Sequence, residues 1–409
     1  MKRRLSAPFF LAFILAGCAS SSKLAQNKPS QDRKVASCTQ AADILLTHDV
    51  SMLKVAHLSE EQVKADITTL EFALERAYGG LNILPDAQYA SLLGGLHGLQ
   101  RQGGTSSDAL CDAIGSLVEA IDDFHTSVHI ESRTCVRRWP SPAVGANSGV
   151  NAKNKTWSYS EYGAQKVPVL SLRRMSPDSS PDWSGFLPEL RTLIENRSRF
   201  IIDLRGNGGG SMNNVLAMAR LMYGLADDKE VPSPLKEVDK RQTAEAWALV
   251  ANYFWLEMEK YRTSSNPAPS YLSRGYENLQ KLYNNSKAGL IPPMFVQKLG
   301  TEDVDLNRAV QVPIYVLIDR GCGSSCELLL EALERLPQAI TIGENTTGVV
   351  QYGEVGYLFL PESHIVVHIP TQGSHYGDNR KIEKIGYQPR FRVPPGSDAL
   401  DFTIQKFFE

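Results

Sequence analysis

The sequence predicts an α/β protein in which an α/β core carries a helical N-terminal module and is interrupted by a helical insertion. Helix-like runs at 181–196, 212–223 and 326–336 alternate with apolar strands around Val167, Phe200, Val312 and Ile340, the order of an α/β core. Two of the strand-to-helix junctions, at 203–211 and 319–327, are built largely from small residues, as tight turns into helices require. Finally, 409 residues with 42% apolar side chains form a chain long enough for more than one core. With 43 basic against 45 acidic side chains it is almost neutral, which leaves no electrostatic footprint for nucleic acid or for strong attraction to a membrane surface.

In chain order, Met1-Lys-Arg-Arg-Leu5 followed by an apolar run at 8–16 has the charged start and short hydrophobic stretch of a secretory signal, too short for a comfortable transmembrane helix. It closes in Leu15-Ala-Gly-Cys18, which resembles the bacterial lipoprotein box. Residues 1–17 are thus expected to be removed, Cys18 to carry the lipid anchor, and the polar stretch 18–36 to act as a flexible tether. Ala19 rather than Asp after the cysteine favours, by the same resemblance, export to the bacterial outer membrane, facing the periplasm or the exterior. An oxidising compartment permits disulfides among Cys38, Cys111, Cys135, Cys322 and Cys326, although an odd count leaves at least one free.

Residues 37–130 form the helical module, opened by Ser59-Glu-Glu-Gln62 at capping-box spacing ahead of Val63, Ile67, Leu70, Leu74 and Tyr78. The first part of the core, 131–224, holds an alternating segment at 157–162 that reads as a hairpin with the strand at 167–172. It then holds Phe200-Ile-Ile-Asp-Leu-Arg-Gly-Asn-Gly-Gly-Gly-Ser211, a strand running into four glycines within five positions and then a helix. Gly208 and Gly209 are either parts of a tight turn or backbone N–H donors for an oxyanion. Residues 225–308 are the insertion, with helical stretches at 243–262 and 271–283; its Trp247, Tyr253, Phe254 and Trp255 belong either to a core or to a substrate groove.

The second part of the core, 309–409, contains the apolar run 312–318, the turn Gly321-Cys-Gly-Ser-Ser-Cys-Glu327 and a helix. Ser324 at that junction is either a helix cap or a nucleophile, because a helix N-terminus offers unpaired N–H groups to a developing anion. A bridge between Cys322 and Cys326 would stiffen the turn, whereas two small buried thiols would only pack it. Neither cysteine pair has metal-site spacing with histidines, so no metal and no cofactor are expected, and the glycine block lacks the Lys-Ser/Thr ending of a phosphate loop.

Asp203-Leu-Arg-Gly-Asn-Gly-Gly-Gly210 resembles the signature of the tail-specific, or C-terminal processing, serine protease family. Three further blocks follow in the family's order: Asp319 to Glu327 with a serine three residues before a glutamate, Gly343-Glu-Asn-Thr-Thr-Gly348, and Glu383-Lys-Ile-Gly-Tyr-Gln-Pro389. The resemblance implies a β-α superhelix core of the crotonase-like type and a serine endopeptidase acting on proteins or peptides. It spans about 60–223 and 311–393. Where Ser/Lys members carry the lysine, this chain has Val349, which cannot accept a proton.

The other branch, similar to the tricorn core protease, uses a histidine base and a glutamate, and Asp122-Asp-Phe-His-Thr126 and Glu383 occupy the matching positions. The set implied is Ser324 as nucleophile, His125 as base, Glu383 as supporting carboxylate, and the N–H groups of Ser325 and of Gly208 or Gly209 as oxyanion donors. Phe124 stands where that branch has a serine, so the group that orients His125 stays open between Asp122, Asp123 and others. The short stretch between His125 and Val167 leaves no room for the peptide-binding PDZ module of many relatives. A silent binding lipoprotein on the same fold and an esterase or amidase are the alternatives. The expected partners are a protein or peptide substrate and the membrane through the lipid anchor; oligomeric state is not legible.

Overall fold

The computed structural model describes residues 46, 54–135, 156–175, 183–227, 229–262, 267–298 and 305–409. Cys18, the signal segment, the tether and Cys38 lie outside the described residues. Among the described residues no helix is long and apolar enough to cross a membrane.

The N-terminal module begins with α1 (Glu60–Ala77), whose Ser59 and Gln62 form the capping box that the sequence predicts. A 3₁₀ turn, η1 (Gly79–Asn82), and the helices α2 (Asp86–Leu99) and α3 (Ser107–Glu119) follow. From there the chain enters β1 (Ser127–Ile130) and β2 (Arg133–Thr134), and the Cys111–Cys135 disulfide fastens α3 beside them. These helices share one hydrophobic core with the first sheet, built on Ile67, Leu70, Leu74, Leu96, Ile114, Val128 and Ile369.

A second sheet holds β3 (Trp157–Tyr162), β4 (Val167–Leu172), β5 (Phe200–Asp203), β8 (Ile314–Ile318), β9 (Ala339–Gly343) and β12 (Phe391–Arg392), in the order β12-β9-β8-β5-β4-β3. All its pairings are parallel except β3 with β4, the expected hairpin. The central strands β5 and β8 are buried throughout, which is why their sequences are continuous apolar runs rather than alternating ones. Helices α4 (Phe186–Asn196), α5 (Met212–Tyr223) and α8 (Ser325–Leu333) share a core with one face of this sheet, and α9 (Ala399–Phe407) with the other.

The stretch expected to be a helical insertion does contain two helices, α6 (Ala244–Glu259) and α7 (Ser270–Lys287), but also two strands, β6 (Leu235–Arg241) and β7 (Met294–Lys298). With β10 (Tyr352–Phe359) and β11 (Val366–Tyr376) these strands complete the antiparallel first sheet, ordered β2-β1-β11-β6-β7 with β10 on β11. Trp247 and, half-buried, Phe254 on α6 pack against the same core as the N-terminal helices, while Trp247, Tyr253 and Phe254 also line a cavity of about 450 Å³.

Candidate active site

The parallel sheet brings the two small-residue junctions together, because β5 and β8 are direct neighbours and both loops leave from their carboxyl ends. Asp319, just past β8, clamps them: its Oδ1 accepts the N–H groups of Gly206 at 2.8 Å and Gly321 at 2.9 Å. Asn207 adds a second clamp, donating to the Leu172 carbonyl at 3.0 Å and accepting the Gly323 N–H on its own carbonyl at 3.0 Å. Asp203 and Arg205 face each other through two side-chain bonds of 2.9 and 3.0 Å, and Arg205 also reaches Asp398 at 2.8 Å. The Asp-Leu-Arg-Gly-Asn run thus fixes the loop by its own side chains.

Ser324 stands at φ 54°, ψ −122°, a left-handed-side conformation that a residue with a Cβ adopts only when its surroundings impose it, at a cost on the order of 1–3 kcal/mol. Here the surroundings are specific. The Cys322–Cys326 disulfide spans the turn with its Cα atoms 5.5 Å apart, so the bridged alternative holds. The Ser324 N–H donates to the Val349 carbonyl at 3.1 Å and to Glu327 Oε2 at 3.2 Å. Glu327, fully buried, also accepts the N–H groups of Gly348 at 2.7 Å and Val349 at 2.8 Å and the Thr346 hydroxyl. A sharp strand-turn-helix of this kind lifts the hydroxyl out of the backbone, and Ser324 is only half-buried.

His125 lies between α3 and β1, on a loop organised by Asp123. That buried carboxylate accepts the N–H groups of His125 at 2.8 Å and Thr126 at 3.1 Å, the Tyr78 hydroxyl at 3.0 Å and the Thr126 hydroxyl. The loop so held sets His125 Nε2 3.3 Å from Ser324 Oγ, within the loose range that such pairs show without substrate. Nδ1 is cut off from solvent and has no hydrogen-bond partner among the described residues. Glu383 comes close: one donor atom from each of Asp123, His125 and Glu383 lies within 4.8 Å of the other two. Its carboxyl accepts the N–H groups of Phe124 at 2.7 Å, Val350 at 3.2 Å and Gln351 at 3.1 Å, tying the histidine loop to the stretch after Val349.

Burial pushes the His125 imidazole down to about 4, against the opposing pull of Asp123. It is therefore neutral at pH 7, the form a general base needs. Burial, and then the charge of Asp123, push Glu383 well above the usual carboxylate range, while backbone N–H groups pull the other way. A proton arriving on His125 would meet two nearby carboxyl groups in an enclosed site, where such interactions are strong.

Of the expected oxyanion donors, Gly209 is corrected: its N–H already donates to Asn207 Oδ1 at 2.9 Å. Its φ of 95° and its packing give it another task, since a Cβ there would lie 2.8 Å from both the Gly323 oxygen and the Ser325 nitrogen. The N–H groups of Gly208 and Ser325 have no partner among the described residues; Gly208 is exposed and Ser325 opens α8 at its positive end. Asp122 faces elsewhere, paired with Lys381 at 2.7 Å, so Asp123 is the carboxylate that places the histidine loop. Glu327 and Tyr78 were not among the expected site residues. For Glu327 the signal was its spacing of three from Ser324, but nothing near Tyr78 in sequence points to Asp123.

Residues 166–393, more than half of the chain, match the model of peptidase family S41. No curated protein matches the chain. Among solved structures, a Parabacteroides merdae ATCC 43184 protein described as a candidate peptidase is 15% identical, covers 84% of this chain and 93% of its own, and has a TM-score of 0.50, a likeness of fold. Mature CPAF is 14% identical over 82% of this chain and 93% of its own at a TM-score of 0.48. The photosystem II D1 C-terminal processing protease is 12% identical over 82% of this chain and 94% of its own at 0.43.

Proposed function

We propose, from the premise that this chain belongs to peptidase family S41 and is a serine peptidase, that it cleaves proteins or peptides of the cell envelope through Ser324, His125 and Glu383. Ser324 Oγ attacks the scissile carbonyl as its proton passes to His125 Nε2. The tetrahedral oxyanion accepts hydrogen bonds from the N–H groups of Ser325 and Gly208, which carry no other partner among the described residues. His125 returns the proton to the leaving amine, and a water then repeats the sequence on the acyl-enzyme. Glu383 and Asp123 lower the energy of the transient imidazolium and hold the loop that presents it.

The observation that carries this reading is the 3.3 Å approach of His125 Nε2 to a serine held in a strained turn. Val349 supports it from the other side, being a fully buried apolar residue that leaves the imidazole as the base within reach. The test is labelling with a fluorophosphonate probe together with turnover of an unstructured protein such as casein. Wild type should label and cleave while Ser324→Ala does neither. An unlabelled, inactive wild type would make the chain a silent binding protein, and turnover of esters without peptides would make it an esterase.

For localisation, the support is Leu15-Ala-Gly-Cys18, and the reading is an outer-membrane lipoprotein anchored through Cys18. Metabolic labelling with a radioactive fatty acid should mark wild type and not Cys18→Ser. Equal labelling of both would remove the anchor from Cys18.

A further inference from the structure

We infer that Glu237, Asp239 and His375 form a binding site for a zinc-type divalent cation, distinct from the catalytic group. Glu237 and Asp239 are two apart on β6 and so share a face, and His375 of β11 pairs directly opposite Glu237. One donor atom from each lies within 4.8 Å of the other two. Gly373 stands opposite Asp239 and leaves that position without a side chain; the room above it is filled by η1, since a Cβ there would lie 2.8 Å from the Gly79 oxygen. Asn82, the last residue of η1, donates to Asp239 Oδ2 at 2.9 Å, and His375 Nε2 lies 3.1 Å from the same oxygen.

The second oxygen points to a ligand. Asp239 is 4% exposed, and its Oδ1 is buried with no hydrogen-bond partner among the described residues. A buried carboxylate with one oxygen left unpaired is unfavourable by itself, and a cation bound to it together with Glu237 and His375 would offset its charge. Lys298, opposite Glu237 on β7, and Arg241, two beyond Asp239, face the same side of the sheet; Arg241 is close enough to feel the Asp239 charge, yet neither forms an ion pair within 4.0 Å with the three among the described residues. Arg241 instead donates to the Tyr78 carbonyl at 3.2 Å. Two carboxylates with one imidazole favour a first-row transition cation such as Zn²⁺ over Ca²⁺ or Mg²⁺, which take oxygen donors. The half-exposed His375 and Glu237 leave an entry path and room for water ligands. Cysteine and histidine spacing could not reveal such a site, because its ligands come from strands far apart in sequence. It is an exception to the expectation of no metal.

The test is equilibrium dialysis of the full chain, without an affinity tag, against ZnCl₂, with Co²⁺ titration followed by its visible absorption as a second readout. Wild type should take up one equivalent, and cobalt should show the intensity of a low-coordinate nitrogen-oxygen site. His375→Gln and the half-exposed Glu237→Gln should each weaken uptake by at least about 10-fold, with circular dichroism confirming that both fold. His125→Ala should still bind one equivalent. The proposal fails if wild type binds no zinc up to about 100 μM, a limit at which even a weak micromolar site would fill. It fails equally if both glutamine variants bind as wild type does, or if only His125→Ala loses the metal, which would place the cation among Asp123, His125 and Glu383.

Discussion

Ser324 and His125 make contact across the boundary between the two sheets, and each is held by backbone bonds to a buried carboxylate, Glu327 for the serine and Asp123 for the histidine. Replacing Ser324 or His125 with alanine should lower kcat on casein by on the order of 10⁴-fold or more, and the double variant little further, because the two act as one unit. Asp123→Asn should retain the fold yet lower kcat with KM nearly unchanged, as it loosens the loop that places the base; an unchanged kcat would remove Asp123 from that task. The pH dependence has a definite sign. With the imidazole held down to about 4, the base is neutral across the ordinary range, so kcat/KM should stay flat on the acid side from pH 7 to about 5 and fall only as pH nears 4. A fall centred near 6.5 would mean that the free enzyme does not bury His125 as described.

At the scale of the element, the strand-turn-helix units at 200–211 and 314–327 were legible because small residues punctuate apolar runs there. Less legible were β10 and β11. Pro370 sits inside β11, where a sequence reader demotes the strand, and it is tolerated opposite Val355 beside Glu354, whose φ of 48° interrupts the ladder. The role of Asp123 was hidden for a different reason: its partner Tyr78 lies on another element, and only the fold brings them together. The two downstream motifs interlock with the serine turn. Thr346 donates to Glu327 and accepts the Tyr387 N–H at 2.6 Å, and a Cβ on Gly386 would lie 2.1 Å from the Thr346 oxygen. Gly209→Ala should therefore do more harm than its size suggests: at φ 95°, with the serine turn 2.8 Å away, it should cut kcat by about 100-fold while leaving most of the secondary structure intact. Near-wild-type turnover in that variant would show that the turn yields.

For the molecule as a whole, acidification and alkalinisation pull on different buried groups. His125, held at about 4, and His368, held by burial at about 3, both take up protons more readily when unfolded, so stability should decline as pH falls from about 6.5, through about 4 for His125 and about 3 for His368. Glu331 has the opposite sign. Burial raises it to about 7 against the opposing pull of the Tyr376 and Tyr387 hydroxyls that donate to it, so the folded state holds its proton more tightly, and this contribution is lost as pH rises from the unfolded value of 4.5 through about 7. Urea unfolding of wild type and Glu331→Gln should coincide near pH 5 and separate near pH 8 in favour of the glutamine. Coincidence at both values would show that Glu331 ionises freely in the folded chain.

The three groups proposed for catalysis belong to segments that a ribosome delivers in succession: the imidazole early, the hydroxyl after the inserted helices, and the carboxyl of Glu383 later still. Because Glu383 also fastens the histidine loop to the backbone at Val350 and Gln351, a nascent chain lacking that segment keeps the Asp123 and Glu327 clamps but loses this tie between them. Under the proposed mechanism a chain stopped before residue 383 should therefore leave casein uncut, and the power to cut would arise only when the segment after Val349 closes on the histidine loop.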